Sequence, residues 1–209
     1  DALQLAAGIV TARRRETPLS LTAGGVGVVD AERVFETQPL SLSNATRRVP
    51  GVEKSSDSAW GSAINIRGLG RSRVVFLVDG TRVNTATDFN ARMGLVHPLD
   101  IARIEILKGP VSSIYGAGSV GGTVNVLTRR GDFSDAASRS GGLSLGYNSN
   151  ANGFGLFGYT TYSNPDIWLY ASGGRREHDD YEDGNGDEVP NSQFEDTHVH
   201  LAAGRRWDE

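Results

Sequence analysis

The chain has 209 residues, 38% of them hydrophobic, with 27 glycines against 7 prolines, a balance compatible with a β-rich folded protein of one or two domains. Its 21 basic and 25 acidic residues give a net charge of −4 with no strong basic block, which argues against duplex nucleic acid as a partner. Cysteine is absent, excluding a disulfide framework and thiolate-held metal, and no stretch reaches the roughly 18 apolar residues that a spanning helix needs. The only methionine is Met93, and a start at Asp1-Ala2 fits a removed export signal and a trimmed sequence equally well.

Near the N-terminus, Ala7 to Ala12 is a short apolar, β-prone segment followed by Arg13-Arg14-Arg15. From about Thr22 to Arg130, short strands alternate with short helices. Asp30 is placed to cap a helix over Ala31 to Glu36, and Pro39 to Val49 puts Leu42, Ala45 and Val49 on one helical face. Arg47 and Arg48 would occupy the last turn of that helix, and Pro50-Gly51 would end it. A polar loop is expected from Glu53 to Ser62, then a strand from Ala63 to Arg67. A longer apolar strand, Arg73 to Val78, turns at Asp79-Gly80, a dipeptide suited to the positive φ of a tight hairpin. A second loop runs from Asn84 to about Val96. Together these elements predict a small α+β domain of roughly 110 residues, enough for a modest core.

The stretch Ile104 to Thr128 contains the string Gly116, Gly118, Gly121, which has the G-x-G-x-x-G spacing of a dinucleotide loop. A dinucleotide site needs a strand before the glycines and a helix after them. Here a helical turn, Val111 to Tyr115, leads in and the β-branched run Thr123 to Thr128 leads out. The order is reversed, and the glycines need another job.

After Gly131 helical patterning ceases. Leu143, Leu145 and Tyr147 alternate with Ser144, Gly146 and Asn148; a loop follows to Gly153, then a strand from Phe154 to Tyr162. Asn164-Pro165-Asp166 is a tight turn, Ile167 to Gly174 a third strand, and Glu182 to Ser192 a polar loop. In the fourth strand Thr197, Val199, Leu201 and Ala203 alternate with His198, His200, Ala202 and Gly204. Segments of about ten alternating residues, joined by short turns and longer loops, are the pattern of a transmembrane β-barrel, with Tyr147 and Trp207 suited to its aromatic girdles. A soluble antiparallel sheet is the alternative.

Three strings connect these halves: Val49-Pro50-Gly51-Val52, INIRGLGRSRVVFLVDGTRVN from Ile64 to Asn84, and RIEILKGPVSSIYGAGSVGGTVNVLT from Arg103 to Thr128. Their order and spacing resemble the TonB-dependent outer-membrane receptors, in which a globular plug sits inside a large β-barrel. One departure is Lys108, where the family usually carries Arg before Gly-Pro; lysine keeps the charge and loses the bidentate fork.

The resemblance implies an α+β plug domain followed by antiparallel transmembrane β-barrel strands. The divisions are an N-terminal periplasmic segment over residues 1–21, a plug over 22–131 and about four barrel strands over 132–209. Large plugged barrels have about 22 strands, so the chain is expected to be a fragment of one. The implied function is TonB-dependent active uptake of a scarce nutrient across the outer membrane. Iron chelates (siderophore or haem) lead, cobalamin follows by the same mechanism, and a non-transporting signalling or adhesion module is the alternative from another class. Expected partners are TonB with its inner-membrane motor complex, the metal-chelate or cobalamin ligand, and outer-membrane lipid.

The resemblance also assigns roles. Arg67, Glu105 and Lys108 would anchor the plug to the barrel wall. Trp60, Asp88, Phe89, Asn90 and Arg92, on apical plug loops, would be offered to ligand. Gly8, Ile9, Val10 and Thr11 lie where the family's TonB box adds as a strand to TonB; a box truncated upstream fits equally. Outside the resemblance, Asp183, Asn185 and Asp187 space oxygen ligands like the start of a calcium loop. Glu188 and Phe194 break the EF-hand pattern, leaving an irregular calcium site or a solvated acidic loop. His198 and His200 share a strand face that a wet lumen explains adequately. No nucleophile with a base and no acid–base carboxylate pair is evident, so neither an enzyme nor a cofactor is expected.

Overall fold

The computed structural model describes residues 8–9, 17–18, 25–55, 63–83, 94–110 and 115–207. The chain divides into two compact units, Asp1–Thr128 and Arg129–Glu209.

In the first unit, β1 (Gly8–Ile9) and β2 (Thr17–Pro18) form a small antiparallel pair. β3 (Gly25–Asp30) leads directly into α1 (Ala31–Thr37), because the Asp30 carboxylate accepts the Arg33 N–H at 2.9 Å and closes the helix N-terminus. α1 ends on Gln38 in the left-handed region. The helix predicted over Pro39 to Val49 shrinks to α2, Leu42–Ala45. The cause is local: the Ser41 and Ser43 hydroxyls bond each other, and the Thr46 hydroxyl donates to the Ser43 carbonyl at 2.9 Å. Such side chains compete with helical bonding, and the backbone continues in i→i+3 turns through Val49. Arg47 and Arg48 therefore follow the helix rather than occupy its last turn. Leu42, Ala45 and Val49 are nevertheless all buried, as their spacing predicted.

β4 (Val52–Lys54) pairs antiparallel with β5 (Ile64–Ile66), so the start of the predicted polar loop at Glu53 is strand instead, held by Val52 lying opposite Ile66. Arg67 leaves the strand at φ 52° and forms a turn with Gly68. A short 3-10 turn, Arg71–Arg73, precedes β6 (Val74–Val78). Asp79 and Gly80 both have positive φ and carry the hairpin into β7 (Thr81–Arg82), as the dipeptide predicted. β8 (Ile101–Lys108) and β9 (Gly122–Thr128) complete a five-stranded sheet ordered β3-β8-β9-β6-β7, antiparallel except for the parallel β6–β9 pair.

One face of this sheet, with Val29, Phe76, Ile104, Ile106, Val124 and Val126, packs with Val34, Leu42 and Ile66 into the main core. The other face carries Val75 and Leu77 against Tyr115, and also buries Glu105, Thr123 and Asn125.

The second unit is a four-stranded antiparallel sheet of β10 (Ser138–Asn148), β11 (Gly153–Ser163), β12 (Ile167–His178) and β13 (Phe194–Arg205), paired in sequence order. β12 runs past the predicted end at Gly174, because its charged tail is paired across strands. Arg175 bridges Glu195 at 2.9 Å and Arg176 bridges Asp196 at 2.8 Å. The turn at 164–166 is short; the Asn164 side chain accepts the N–H groups of Asp166 and Ile167 and fixes it.

Burial in this sheet is inverted relative to a water-soluble one. Leu143, Val199 and Leu201 are 73, 74 and 73% exposed, while Phe157 and Tyr170 on the opposite face are 4 and 3% exposed. The exposed face is a continuous apolar band, with Leu145 opposite Leu156, Tyr147 opposite Phe154 and Ala171 opposite Leu201. Where β10 and β11 carry Tyr147 and Phe154, the same cross-strand row on β12 and β13 carries Glu177 and Glu195. The band thus runs obliquely to the strands, as it must when tilted strands cross a flat apolar layer.

Candidate functional site

Two cations converge on the first unit. Lys108, at the end of β8, pairs across to Gly25 at the start of β3, and its ammonium donates to the Pro50 carbonyl at 2.8 Å. Arg67 is held nearby by its own N–H, which donates to the Gly51 carbonyl at 2.9 Å. A methyl group added to Gly25 would lie 2.9 Å from Arg67 Nη2 and 3.5 Å from Lys108 Cβ, so both side chains flank that glycine. Burial, and then the Arg67 charge, hold the Lys108 ammonium below its usual pKa. Among the described residues neither cation has a carboxylate partner. A pair of like charges without a counterion is a site that favours an incoming carboxylate.

Glu105 occupies a different environment. It is fully buried, and Arg103 meets its carboxylate at 2.8 Å while remaining 25% exposed. The glycine-rich segment is organised by Arg82, whose guanidinium donates to the Ala117 carbonyl at 2.9 Å. Gly122 at φ 144° brings its backbone against the Leu107 carbonyl, and the chain leaves the glycines as β9, so the strand-out order excludes a dinucleotide loop. Nothing in the sequence pointed to Arg82, whose partners are backbone carbonyls more than thirty residues away.

Trp60, Asp88, Phe89, Asn90 and Arg92 lie outside the described residues, as do Val10 and Thr11 and most of the helical turn Val111 to Tyr115. Gly8 and Ile9 pair with Pro18 and Thr17 of their own chain. In the acidic loop, Asp183 Oδ1 accepts the N–H groups of Asn185 at 2.8 Å and Asp187 at 3.1 Å, while Asn185 and Asp187 are exposed. That loop is tied to the neighbouring turn through Asn150, whose side chain exchanges two hydrogen bonds of 3.0 Å with the Glu182 backbone. Asp180 stabilises it from within. Burial acts to raise its pKa, but N–H groups of Gln193 and Ser192, the Ser192 hydroxyl and the Asn191 N–H outweigh this and hold it low.

His198 and His200 lie on the less exposed face of β13. His198 stacks on Phe157 with centroids 5.7 Å apart, and His200 meets Tyr170 at 5.4 Å. Together with Tyr159 stacked on Tyr170 they form an aromatic ladder that only the strand register reveals.

Comparison with known proteins agrees with this architecture. Residues 18–123, just over half the chain, match the TonB-dependent Receptor Plug Domain. The vitamin B12 transporter BtuB of Vibrio vulnificus (strain CMCP6) is 33% identical over 172 residues, covering 79% of this chain and 27% of the relative. The siderophore receptor PirA from Pseudomonas aeruginosa is 29% identical with a TM-score of 0.54, covering 75% of this chain and 29% of that one. The copper transporter OprC superposes with a TM-score of 0.77 over 88% of this chain and 28% of its own; at 22% identity this likeness speaks for the fold alone. The chain therefore spans little more than a quarter of the length of these transporters and receptors. A plug followed by antiparallel strands with an exposed apolar face, matched by the plug family model over most of the first unit, places this chain among the TonB-dependent receptors.

Proposed function

We propose that this chain is the plug and first barrel strands of an outer-membrane receptor that takes up a metal chelate at the expense of energy delivered by TonB. The carrying observation is the pairing, in one chain, of a compact plug whose Arg67 and Lys108 lack a carboxylate partner among the described residues with a sheet whose apolar face is exposed. A sheet that exposes Leu143, Val199 and Leu201 is suited to lipid. A cation pair lacking a carboxylate is suited to a wall that supplies one.

In this reading Arg67 and Lys108 anchor the plug to acidic groups of the barrel wall, and Glu105 assists by fixing Arg103, whose guanidinium is partly exposed. Trp60, Asp88, Phe89, Asn90 and Arg92 contribute the plug's share of the ligand site. Gly8 to Thr11 supply the segment that TonB engages on the periplasmic side. The protein performs no covalent chemistry; it binds, rearranges and releases.

Iron chelates, siderophore or haem, are the leading cargo, supported by likeness to a siderophore receptor. Cobalamin is the second reading, favoured by the 33% identity to a vitamin B12 transporter. Binding to the full-length receptor in detergent, read by tryptophan fluorescence with ferric siderophores, haem and cyanocobalamin, distinguishes them. Saturable binding of a ferric chelate alone supports the first; binding of cyanocobalamin alone transfers the assignment to the second; binding of none removes the transport reading.

A further inference from the structure

We infer that the exposed apolar face of the second unit carries a site for an anionic glycerophospholipid at the end of the sheet nearest the 164–166 turn. This inference rests on the outer-membrane reading above. A groove of about 740 Å³ runs across β10 to β13, lined on this face by Arg139, Thr160, Tyr162, Leu169, Ala171, Leu201 and Ala203. Its floor is low because Ala171 and Ala203 are small. Its walls are high because Tyr162, Leu169 and Leu201 are large. A channel of that shape and chemistry accepts an acyl chain.

The charges bounding the apolar band differ at its two ends. At the far end Arg175 is taken up by Glu177 at 3.3 Å and Glu195 at 2.9 Å. At the groove end the charged strand positions on this face are the cations Arg139 and Arg205. Arg139 lies over the Tyr162 ring, 5.6 Å from its centroid, and Arg205 lies over the Trp207 ring at 4.5 Å. Among the described residues neither has a carboxylate partner. The nearest acids in sequence, Asp135 and Asp166, sit in connecting segments rather than on the strands. A guanidinium lying over a ring keeps its edge N–H groups available, and phosphate oxygens fit that edge. Arg139 also lines the groove, which places the cation where the headgroup of a lipid seated in it would emerge.

The connections give the leaflet. The 164–166 turn spans three residues, whereas the loop at the opposite end runs from 179 to 193. Short turns of outer-membrane barrels face the periplasm and long loops face outward. The arginine end therefore meets the periplasmic leaflet, which is built of glycerophospholipid.

Native mass spectrometry tests the site. The full-length receptor, extracted from outer membranes in detergent, is offered equal amounts of dioleoylphosphatidylglycerol and dioleoylphosphatidylcholine, which share acyl chains and differ in headgroup charge. About tenfold greater retention of the anionic lipid is expected, given the attraction of anionic lipid for each surface cation. The double variant Arg139→Gln, Arg205→Gln should lower phosphatidylglycerol retention to the phosphatidylcholine level. Ala203→Phe, which fills the groove, should reduce retention of both lipids severalfold. Equal retention by the wild type, or a preference that survives the double variant, overturns the site while leaving the receptor reading intact. A receptor missing from the outer-membrane fraction removes both.

Discussion

Arg67 and Lys108 flank the same glycine, Gly25, and the proximity of the guanidinium adds to burial in lowering the Lys108 pKa. A like-charged pair held this way costs stability in the ionised state and makes a surface that favours a carboxylate. With any barrel acids of the kind proposed above removed, NMR titration of the Lys108 ammonium should give a pKa below 10.5. Arg67→Gln should move it upward without restoring it fully, because burial is the larger cause. The sign follows from proton counting. With the folded pKa below the unfolded one, the unfolded chain holds more protons between the two values, so stability rises with pH through that window.

Leu201 is 73% exposed at the centre of the apolar band. On a sheet facing water, Leu201→Arg would change stability by less than about 0.5 kcal/mol. Facing hydrocarbon it should cost about 2–4 kcal/mol at mid-layer. Denaturant unfolding of the receptor in lipid vesicles separates the two.

Glu105 is fully buried and paired with Arg103. Glu105→Ala leaves the guanidinium without its buried counter-charge and should weaken β8 by about 3 kcal/mol. Hydrogen exchange of the β8 and β9 amides reads this as an approximately hundredfold loss of protection. Unchanged protection would mean that the pair contributes nothing to the plug.

Gly122→Ala should be the most damaging small substitution in the plug. Its φ of 144° disfavours any side chain, and a methyl group there would run into the Leu107 carbonyl oxygen. A loss above about 3 kcal/mol, or failure to accumulate folded receptor, is expected. Gly184→Ala, which has open space around it, serves as the tolerated control.

Asp180 organises the 179–193 loop through the N–H groups of Asn191, Ser192 and Gln193. Its folded pKa is lowered from 3.8, so its stabilisation is fully present above the unfolded value and lost as pH falls through the folded one. Limited proteolysis should find the loop resistant at pH 6 and cut only below about pH 4. Asp180→Asn should leave it open to cleavage at both.

What was legible in the sequence was local chemistry. Asp30 as a cap, Asp79-Gly80 as a turn and the alternation of Val199 and Leu201 with His198 and His200 each depend on a few neighbouring residues, and each appears in the fold. What was not legible depends on partners remote in the chain. β12 continues through Arg175 to His178 because Glu195 and Asp196 wait on β13, and Arg82 is committed to the Ala117 carbonyl. The overlong helix after Pro39 failed for another reason: apolar spacing was right for burial, but Ser41, Ser43 and Thr46 redirect the hydrogen bonds that a helix needs. The convergence of Arg67 with Lys108 required the β3–β8 register, which brings Gly25 opposite Lys108.

The central claim is energised uptake through a TonB-coupled receptor. Accumulation of radiolabelled ferric chelate, haem or cobalamin by cells whose only such receptor is the full-length protein tests it directly. Accumulation of one cargo that disappears on deletion of TonB, while binding at the cell surface persists, is the predicted result. Uptake that is indifferent to TonB, or no uptake of any of the three, would contradict it.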